Sequence, residues 1–262
     1  MKTKPNLDIC KGPQFDSVAA RNAMLGYLDS LATIEDDRLQ KQLLKELIHG
    51  YVMLEKRVDA LLKNTLPETV AEEIKYEKRF APRDYECTIL FSDFVGFTRL
   101  AEKISGEQLI HTLDRLFTGF DQIIDRHQGT KIKTIGDAYM AVFGAPIRIE
   151  DHALCAVLTA IELVDFLYAF NRETDPPFHV RIGIHTGNVM AGVVGRDRMQ
   201  FDVFGNDVNI ASRFESSSEA GKINVSETTY LQSREHIEFE ERGLVALKNK
   251  PSMKAYFVKG KR

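Results

Sequence analysis

The segment Thr88-Ile-Leu-Phe-Ser-Asp-Phe-Val-Gly-Phe-Thr98 is the stretch from which the fold of this chain can be predicted. Its first half is rich in β-branched and aromatic residues, which is typical of a buried strand, and Gly96 then favours a tight turn. Residues 106–126, which begin Gly-Glu-Gln-Leu, have the apolar pattern of an amphipathic helix. Asp93 is therefore predicted at the carboxyl end of a strand that leads towards a helix.

A second segment, Lys131-Ile-Lys-Thr-Ile-Gly-Asp-Ala-Tyr-Met140, predicts two short strands. Gly136-Asp137 between them favours a hairpin turn, so Asp137 is expected at the hairpin tip. If the helix crosses over within one sheet, Asp93 and Asp137 converge at one edge. Neighbouring carboxylates repel unless cations join them, and oxygen ligands without Cys or His favour Mg²⁺ or Mn²⁺. The two segments predict a two-metal site for phosphoryl chemistry.

Both aspartates could instead serve only as turn caps, which is a common role of Asp. The backbone after Asp93 favours the metal site, because it offers successive N–H groups at a helix start, where a phosphate can bind. The chain has no Gly-x-x-x-x-Gly-Lys-Ser/Thr and no Gly-x-Gly-x-x-Gly motif, which excludes a P-loop and a dinucleotide fingerprint. The predicted phosphate-binding segment consists of Phe94, Val95, Gly96, Phe97 and Thr98.

Composition limits the classes of partner. The formal net charge of -3 gives no basic excess, so no nucleic-acid partner is expected. The three cysteines are far apart in sequence, which predicts neither a disulfide framework nor a zinc site. No apolar run reaches the roughly 18 residues of a membrane span, and the N-terminus lacks the apolar stretch of a signal peptide. We therefore expect a cytoplasmic protein without a membrane span.

The first 66 residues are predicted to be a tail followed by helices. Residues 1–16 are polar and are expected to be a flexible tail. In residues 17–66 the second of two helical patterns has an apolar residue alternately every three and four positions, which favours a short coiled coil that joins two chains. The alternative is a helix packed on its own domain, because the pattern is shorter than three heptads. The apolar positions are Leu44, Leu47, Tyr51, Leu54, Val58 and Leu61.

Residues 67–84 are predicted to connect these helices to a larger domain at residues 85–260. Pro67 disfavours helical geometry at the residue before it and is suited to begin a new helix. Beyond the hairpin, residues 153–167 predict a helix, and two strands are predicted at 178–184 and 188–194, with His185 as a structural turn residue between them. The order strand, helix, hairpin, helix, strand predicts an α+β fold with a ferredoxin-like βαββαβ sheet, which later strands near Ile223, Phe239 and Tyr256 extend.

The stretch from Met199 to Arg213 is the second informative one. Gly205 and Asn206 are suited to open a helix, in which Asn209 and Arg213 lie four positions apart and so share one face. An arginine there can hold a phosphate through two hydrogen bonds. The alternative is that both are ordinary surface residues.

Together, the stretches around Asp93, Asp137 and Asn209–Arg213 resemble the catalytic domain of the class III nucleotidyl cyclases over about residues 85–260. The resemblance implies that Asp93 and Asp137 bind two Mg²⁺ or Mn²⁺ ions on a nucleoside triphosphate. It also implies a homodimer of catalytic domains in which each site combines residues of two chains, and the apolar seam predicts that the N-terminal helices join the same dimer. The connector resembles the segment that transmits signals in such proteins, but the sequence identifies no regulatory partner.

Further site residues follow from the same resemblance. Lys133 and Asp202 match the pair that recognises adenine in adenylyl cyclases, whereas guanylyl cyclases typically carry Glu and Cys or similar groups there. This implies conversion of ATP to 3′,5′-cyclic AMP and pyrophosphate, with a guanylate cyclase, an enzyme of relaxed specificity and a catalytically silent signalling or dimerisation module as alternatives. The resemblance assigns ribose orientation and transition-state stabilisation to Asn209 and Arg213, and phosphate contacts to Arg181 and to Lys248 or Lys250.

Overall fold

The computed structural model describes residues 33–196, 198–246 and 251–262, together with Gly26 and Asp29. These residues form two compact units, Met1–Leu62 and Lys63–Arg262. The predicted tail and most of the first predicted helix lie outside the described residues. Lys248 and Lys250 also lie outside them.

Helix α1, Asp37–Lys63, is the main element of the first unit. It begins after Asp36, whose Oδ1 atom accepts hydrogen bonds from the backbone N–H groups of Arg38 and Leu39, at 2.9 and 3.2 Å. None of the residues of α1 is buried. The predicted apolar seam is largely exposed, with Leu54 at 60% and Leu61 at 60%. The coiled coil stays a prediction.

Helix α2, Glu68–Glu77, belongs to the second unit and begins directly after Pro67, as predicted. Leu66, Val70 and Ala71 are almost completely buried, at 3%, 0% and 1% exposure. The start of the connector is therefore part of the packed body of the second unit.

A βαββαβ arrangement forms the centre of the second unit, as predicted. Its strands lie in the order β2-β3-β1-β4, and all three neighbouring pairs are antiparallel. The elements are β1 (Arg83–Phe94), α3 (Phe97–Ala101), α4 (Gly106–Arg126), β2 (Thr130–Ile135), β3 (Ala138–Phe143), α5 (His152–Phe170) and β4 (Val180–Val194).

The last third of the chain extends the sheet beyond β4, also as predicted. The order continues through β6, β8 and β7, while β5 pairs separately with the far half of β4. The elements are β5 (Gln200–Phe204), α6 (Asn206–Ser216), β6 (Ile223–Ser226), α7 (Glu227–Ser233), β7 (Ile237–Val245) and β8 (Met253–Lys261).

Helices α4 and α5 contribute most of the helical side chains in the main core. Ser105 and Gln108 form a reciprocal capping box at the start of α4, which fixes where this helix begins. Helix α5 is long and apolar enough to cross a membrane by length and composition, contrary to the expectation from sequence that no run is. Its buried residues, such as Leu163, instead pack in the core.

Strand β4 corrects one prediction. The sequence Gly183-Ile-His-Thr-Gly187 was expected to contain a turn at His185, but it runs through the middle of a single 15-residue strand. Gly183 is there because α6 lies directly against the strand: a Cβ atom at this position would be 1.9 Å from the backbone nitrogen of Glu215. The sequence alone does not distinguish a glycine that makes room for a packed helix from a glycine that forms a turn.

We expect Gly183→Ala to lower the free energy of unfolding by about 1–3 kcal/mol, because the added methyl group must displace the backbone of α6. Urea denaturation measures the change. Gly260→Ala in β8 is the matched control, since a Cβ atom there meets nothing within 4 Å. Equal stability of the two variants would contradict the close packing of α6 on β4.

Candidate active site

Asp93 and Asp137 lie at the same small cavity, of about 270 Å³. Asp93 is near the end of β1, and Asp137 follows Gly136, whose φ of 64° makes the hairpin turn. Arg181 lies opposite Asp93 in the β1–β4 register, and its Nη2 atom donates to the Oδ2 atom of Asp93 at 2.6 Å. The segment from Phe94 to Thr98 completes the lining of the cavity.

Glu215 in α6 is a fourth charged residue of this cluster, and the sequence analysis missed it. Its Oε1 atom lies 2.6 Å from the Nε atom of Arg181. Neither atom has a hydrogen-bond partner in the described part of the chain. The two side chains therefore form an ion pair in which the N–H bond of Arg181 does not point at the carboxylate oxygen. Nothing in the sequence next to Glu215 marks it, because its partner is 34 positions away in β4.

Carboxylates outnumber the single guanidinium in the cluster. Burial raises the pKa of Asp137, and the charge of Asp93 raises it further. Burial also raises the pKa of Glu215 to about 7 despite the opposing effect of Arg181, and the charges of Asp93 and Asp137 add smaller upward contributions. Such a site favours additional positive charge.

The oxygen donors fit a hard divalent cation. Within the described residues, no group of three His, Cys, Asp or Glu side chains could hold a metal ion by itself. Asp93 and Asp137 can supply one or two carboxylates, which is the usual protein contribution to Mg²⁺ when substrate phosphates and water complete its coordination. The residues therefore fit ions that bind together with a phosphate-bearing ligand.

The predicted phosphate-binding segment needs one correction. The N–H group of Val95 donates to the carbonyl oxygen of His179 at 2.7 Å, so the fold already uses it. Gly96, with φ of 75°, precedes the short helix α3. The N–H groups in the first turn of a helix have no acceptor within it, which leaves those of Phe97 and Thr98 to face a ligand.

Lys133 in β2 and Asp202 in β5 form a direct ion pair, although they are 69 positions apart in sequence. Asp202 is 6% exposed, and its Oδ1 atom accepts a hydrogen bond from the N–H group of Val203 at 2.9 Å. The register of β2 shifts between Lys131 and Lys133, an irregularity that redirects the side chains after it. The structure thus brings these two predicted base-binding residues together.

Asn209 and Arg213 lie on α6, as predicted. Asn209 is exposed and its Nδ2 atom donates to the carbonyl oxygen of Gly205 at 3.3 Å, whereas Arg213 is half-buried. Among the described residues, no hydrogen bond or ion pair links these two side chains to Asp93 or Asp137. Within one chain, the predicted metal ligands and the two predicted catalytic residues of α6 are therefore not joined to each other.

The family described as "Adenylate and Guanylate cyclase catalytic domain" matches residues 80–260. The chain belongs to this family, the class III nucleotidyl cyclases. The resemblance and the fold class predicted from the sequence are confirmed.

This cyclase domain is similar to proteins of both nucleotide specificities. It is 36% identical over 208 residues to an adenylate cyclase of Mycobacterium bovis, covering 79% of this chain and 47% of that protein. The guanylate cyclase domain of RhGC from Catenaria anguillulae, solved in complex with GTP, is 35% identical, with a TM-score of 0.67 and coverage of 69% of this chain and 100% of that one.

A third similar structure is an unconventional dimer of the guanylyl cyclase domain of the RhoGC fusion protein from Blastocladiella emersonii. It is 34% identical with a TM-score of 0.64, and the match covers 69% of this chain and 99% of that one. The cyclase chain described here spans less than half the length of the mycobacterial relative.

The buried Glu215 leads to a pH prediction. A carboxyl group whose pKa rises from 4.5 to about 7 on folding binds its proton more tightly in the folded state. Its contribution to stability is present below the unfolded pKa and is lost as the pH rises through about 7. Relative to wild type, Glu215→Gln should therefore gain up to about 3 kcal/mol in free energy of unfolding between pH 4.5 and 8.

Urea denaturation in the presence of a chelator measures this difference. Glu238→Gln, at an exposed position of β7, is the control and should track wild type at every pH. A Glu215→Gln difference that is constant across the pH range would show that Glu215 is charged throughout.

Proposed function

We propose that this chain is an adenylate cyclase, which converts ATP to 3′,5′-cyclic AMP and pyrophosphate. The Lys133–Asp202 pair carries the proposal. A lysine donates to N1 of adenine and an aspartate accepts from its amino group, whereas guanine presents the opposite pattern of donors and acceptors. The ion pair between them holds both groups side by side.

The reaction joins the ribose 3′ oxygen to the α-phosphorus as the bond from that phosphorus to the bridging oxygen of pyrophosphate breaks. Arg213 would stabilise the negative charge that develops at the α-phosphate, and Asn209 would orient the ribose. Arg181 would contact the phosphates. No side chain of the described site stands out as a general base.

Asp93 and Asp137 would hold two Mg²⁺ or Mn²⁺ ions. When bound, such ions lower the pKa of the attacking hydroxyl group and neutralise the leaving phosphates. The raised pKa of Asp137 supports this role: burial and the neighbouring charge of Asp93 make its ionised form costly, and a bound cation would offset that cost.

A homodimer would complete each site with residues of both chains. One chain would supply Asp93 and Asp137, and the other Lys133, Asp202, Asn209 and Arg213. The separation of these groups on one chain supports this arrangement. Exposed apolar residues at β4 and β5, such as Met190 and Phe204, provide a surface for it, and the exposed seam of α1 would add a coiled coil.

The remaining proposals are coarser. We place the chain in the cytoplasm, with residues 17–66 as a dimerisation region and 67–84 as the connector to a catalytic domain at 85–260. The second candidate is a guanylate cyclase or an enzyme of relaxed specificity, and the GTP-bound relative supports it. A catalytically silent module is less well supported, because both aspartates and Arg213 are present.

Initial rates with ATP and GTP at equal concentration test the base specificity. Wild type should prefer ATP, and Lys133→Glu combined with Asp202→Cys should shift the preference towards GTP, because the groups that face the base are exchanged for ones suited to guanine. Lys103→Glu, at an exposed position, is the control for the added negative charge. An unchanged ATP/GTP ratio in the double variant would remove both residues from base recognition.

Mixing two inactive variants tests the shared site. Asp93→Ala and Arg213→Ala should each be nearly inactive, but a mixed dimer keeps one site with every catalytic group. Random exchange makes about half of the dimers mixed, so roughly a quarter of wild-type activity is the upper expectation. Cyclic AMP formation after mixing is the measurement.

Mixing Asp93→Ala with Asp137→Ala is the matched control. Both lesions then affect the same half of the site, so neither site of the mixed dimer is complete and no activity should return. If the first mixture also stays inactive although subunit exchange is shown by mass spectrometry, each chain builds its own site.

A further inference from the structure

One face of β4 is dedicated to holding α6. Side chains of a strand alternate between two faces, so Gly183, His185 and Gly187 point the same way. Glycines at the two outer positions let α6 approach, since a Cβ atom at Gly187 would lie 2.4 Å from the Oδ2 atom of Asp207. His185 is the one residue with a side chain between them, and it is 3% exposed.

His185 contacts α6 at two points. Its ring lies parallel to that of Phe214, with an interplanar angle of 6° and ring centres 6.1 Å apart. Its Nε2 atom lies 3.4 Å from the Oδ1 atom of Asp207 in the first turn of α6. The ring thus lies beside one side chain from the first turn of α6 and one from its last turns.

Asp207 is directed at the strand. Its Oδ2 atom accepts a hydrogen bond from the N–H group of Asn188 at 2.8 Å, while its other oxygen faces His185. The residue before α6, Gly205, provides no side-chain cap. The carboxylate of Asp207 therefore ties the first turn of α6 to β4 at two atoms.

The far side of the His185 ring is also held. Its Nδ1 atom is 2.8 Å from the Oγ atom of Ser226, the residue that caps α7. Burial lowers the pKa of His185, although Asp207 opposes the shift. A neutral ring has one N–H donor and one acceptor nitrogen, which suits donation to Asp207 and acceptance from Ser226.

We infer that His185 and Asp207 are positioning residues for catalysis, which fix the start of α6 and so aim Asn209 and Arg213. This inference rests on the proposed function of those two residues. Asn209 follows Asp207 by two positions, about 200° around the helix, so it points away from the strand when Asp207 points towards it. Rotation or sliding of α6 would move Asn209 and Arg213 together.

The kinetic signature differs from that of a merely structural contact. Asn209 and Arg213 would act on the transition state, whereas Lys133 and Asp202 bind the base from other strands. Loss of the anchor should lower kcat and leave KM nearly unchanged. A misplacement of about 1 Å can cost on the order of 100-fold in rate.

Asp207→Ala and Asp207→Asn form the test pair. We expect Asp207→Ala to lower kcat with ATP by about 10- to 100-fold with a change in KM below about threefold. Asp207→Asn should recover most of the rate, because its amide oxygen can still accept from Asn188 and its NH₂ group can donate to Nε2 if the proton of His185 moves to Nδ1. That tautomer donates to Ser226 instead.

Leu163→Ala in the core helix α5 is the control for lost stability, because it removes buried apolar volume without touching α6. It should lower the melting temperature and leave kcat of the folded enzyme unchanged. Wild-type kcat in Asp207→Ala, an equal rate loss in Asp207→Asn, or the same rate loss in Leu163→Ala would overturn the inference.

Amide hydrogen exchange provides a readout that does not need activity. Amides of residues 206–213 should exchange faster in Asp207→Ala than in wild type or Asp207→Asn. Unchanged exchange would overturn the anchor even in an active enzyme. A wild-type protein that turns over neither ATP nor GTP would overturn the proposed function, while the exchange experiment would still decide whether Asp207 anchors α6.

Discussion

The antiparallel register of β1 with β4 is the constraint on which the rest of the structure depends. The two strands pair along the whole length of β1, from Arg83 opposite Ala191 to Phe94 opposite Val180. This register places Asp93 beside Arg181 at one end of the strands, while near the other end Met190 and Ala191 of β4 pair with β1 along one edge and with β5 along the opposite edge. A slip of one residue would turn every side chain of β1 to the other face, and with it both the core and the carboxylate cluster.

The charged side chains at the end of these strands carry an excess of negative charge. Asp93, Asp137 and Glu215 surround one guanidinium, and burial makes the negative charges of Asp137 and Glu215 costly. A protein that only needed a stable sheet edge would be more stable with fewer carboxylates there. The excess is understandable in a site that works with a phosphate-bearing ligand and its cations, because the missing positive charge arrives with them.

Local signals in the sequence were sufficient for much of the fold. The apolar pattern of α4, the Gly136-Asp137 turn and Pro67 each act over a short stretch of sequence, so the elements they define were predictable. The continuous β4 was not, because Gly187 is required by a helix that lies 19 positions further on. The same holds for Glu215 and for the anchor at Asp207. The pairing of Lys133 with Asp202 followed only from resemblance, since no local pattern joins two strands so far apart.

The burial of Leu66, Val70 and Ala71 bears on where this protein can be divided. The family match begins at residue 80, but the compact unit begins at Lys63. A fragment cut at the family boundary would leave behind three side chains that fill the body of the domain and would expose the apolar surface beneath them to water. The smallest piece that keeps its own interior closed therefore begins before Leu66. In this chain, the segment shared with the family is therefore shorter than the segment needed for a closed hydrophobic core.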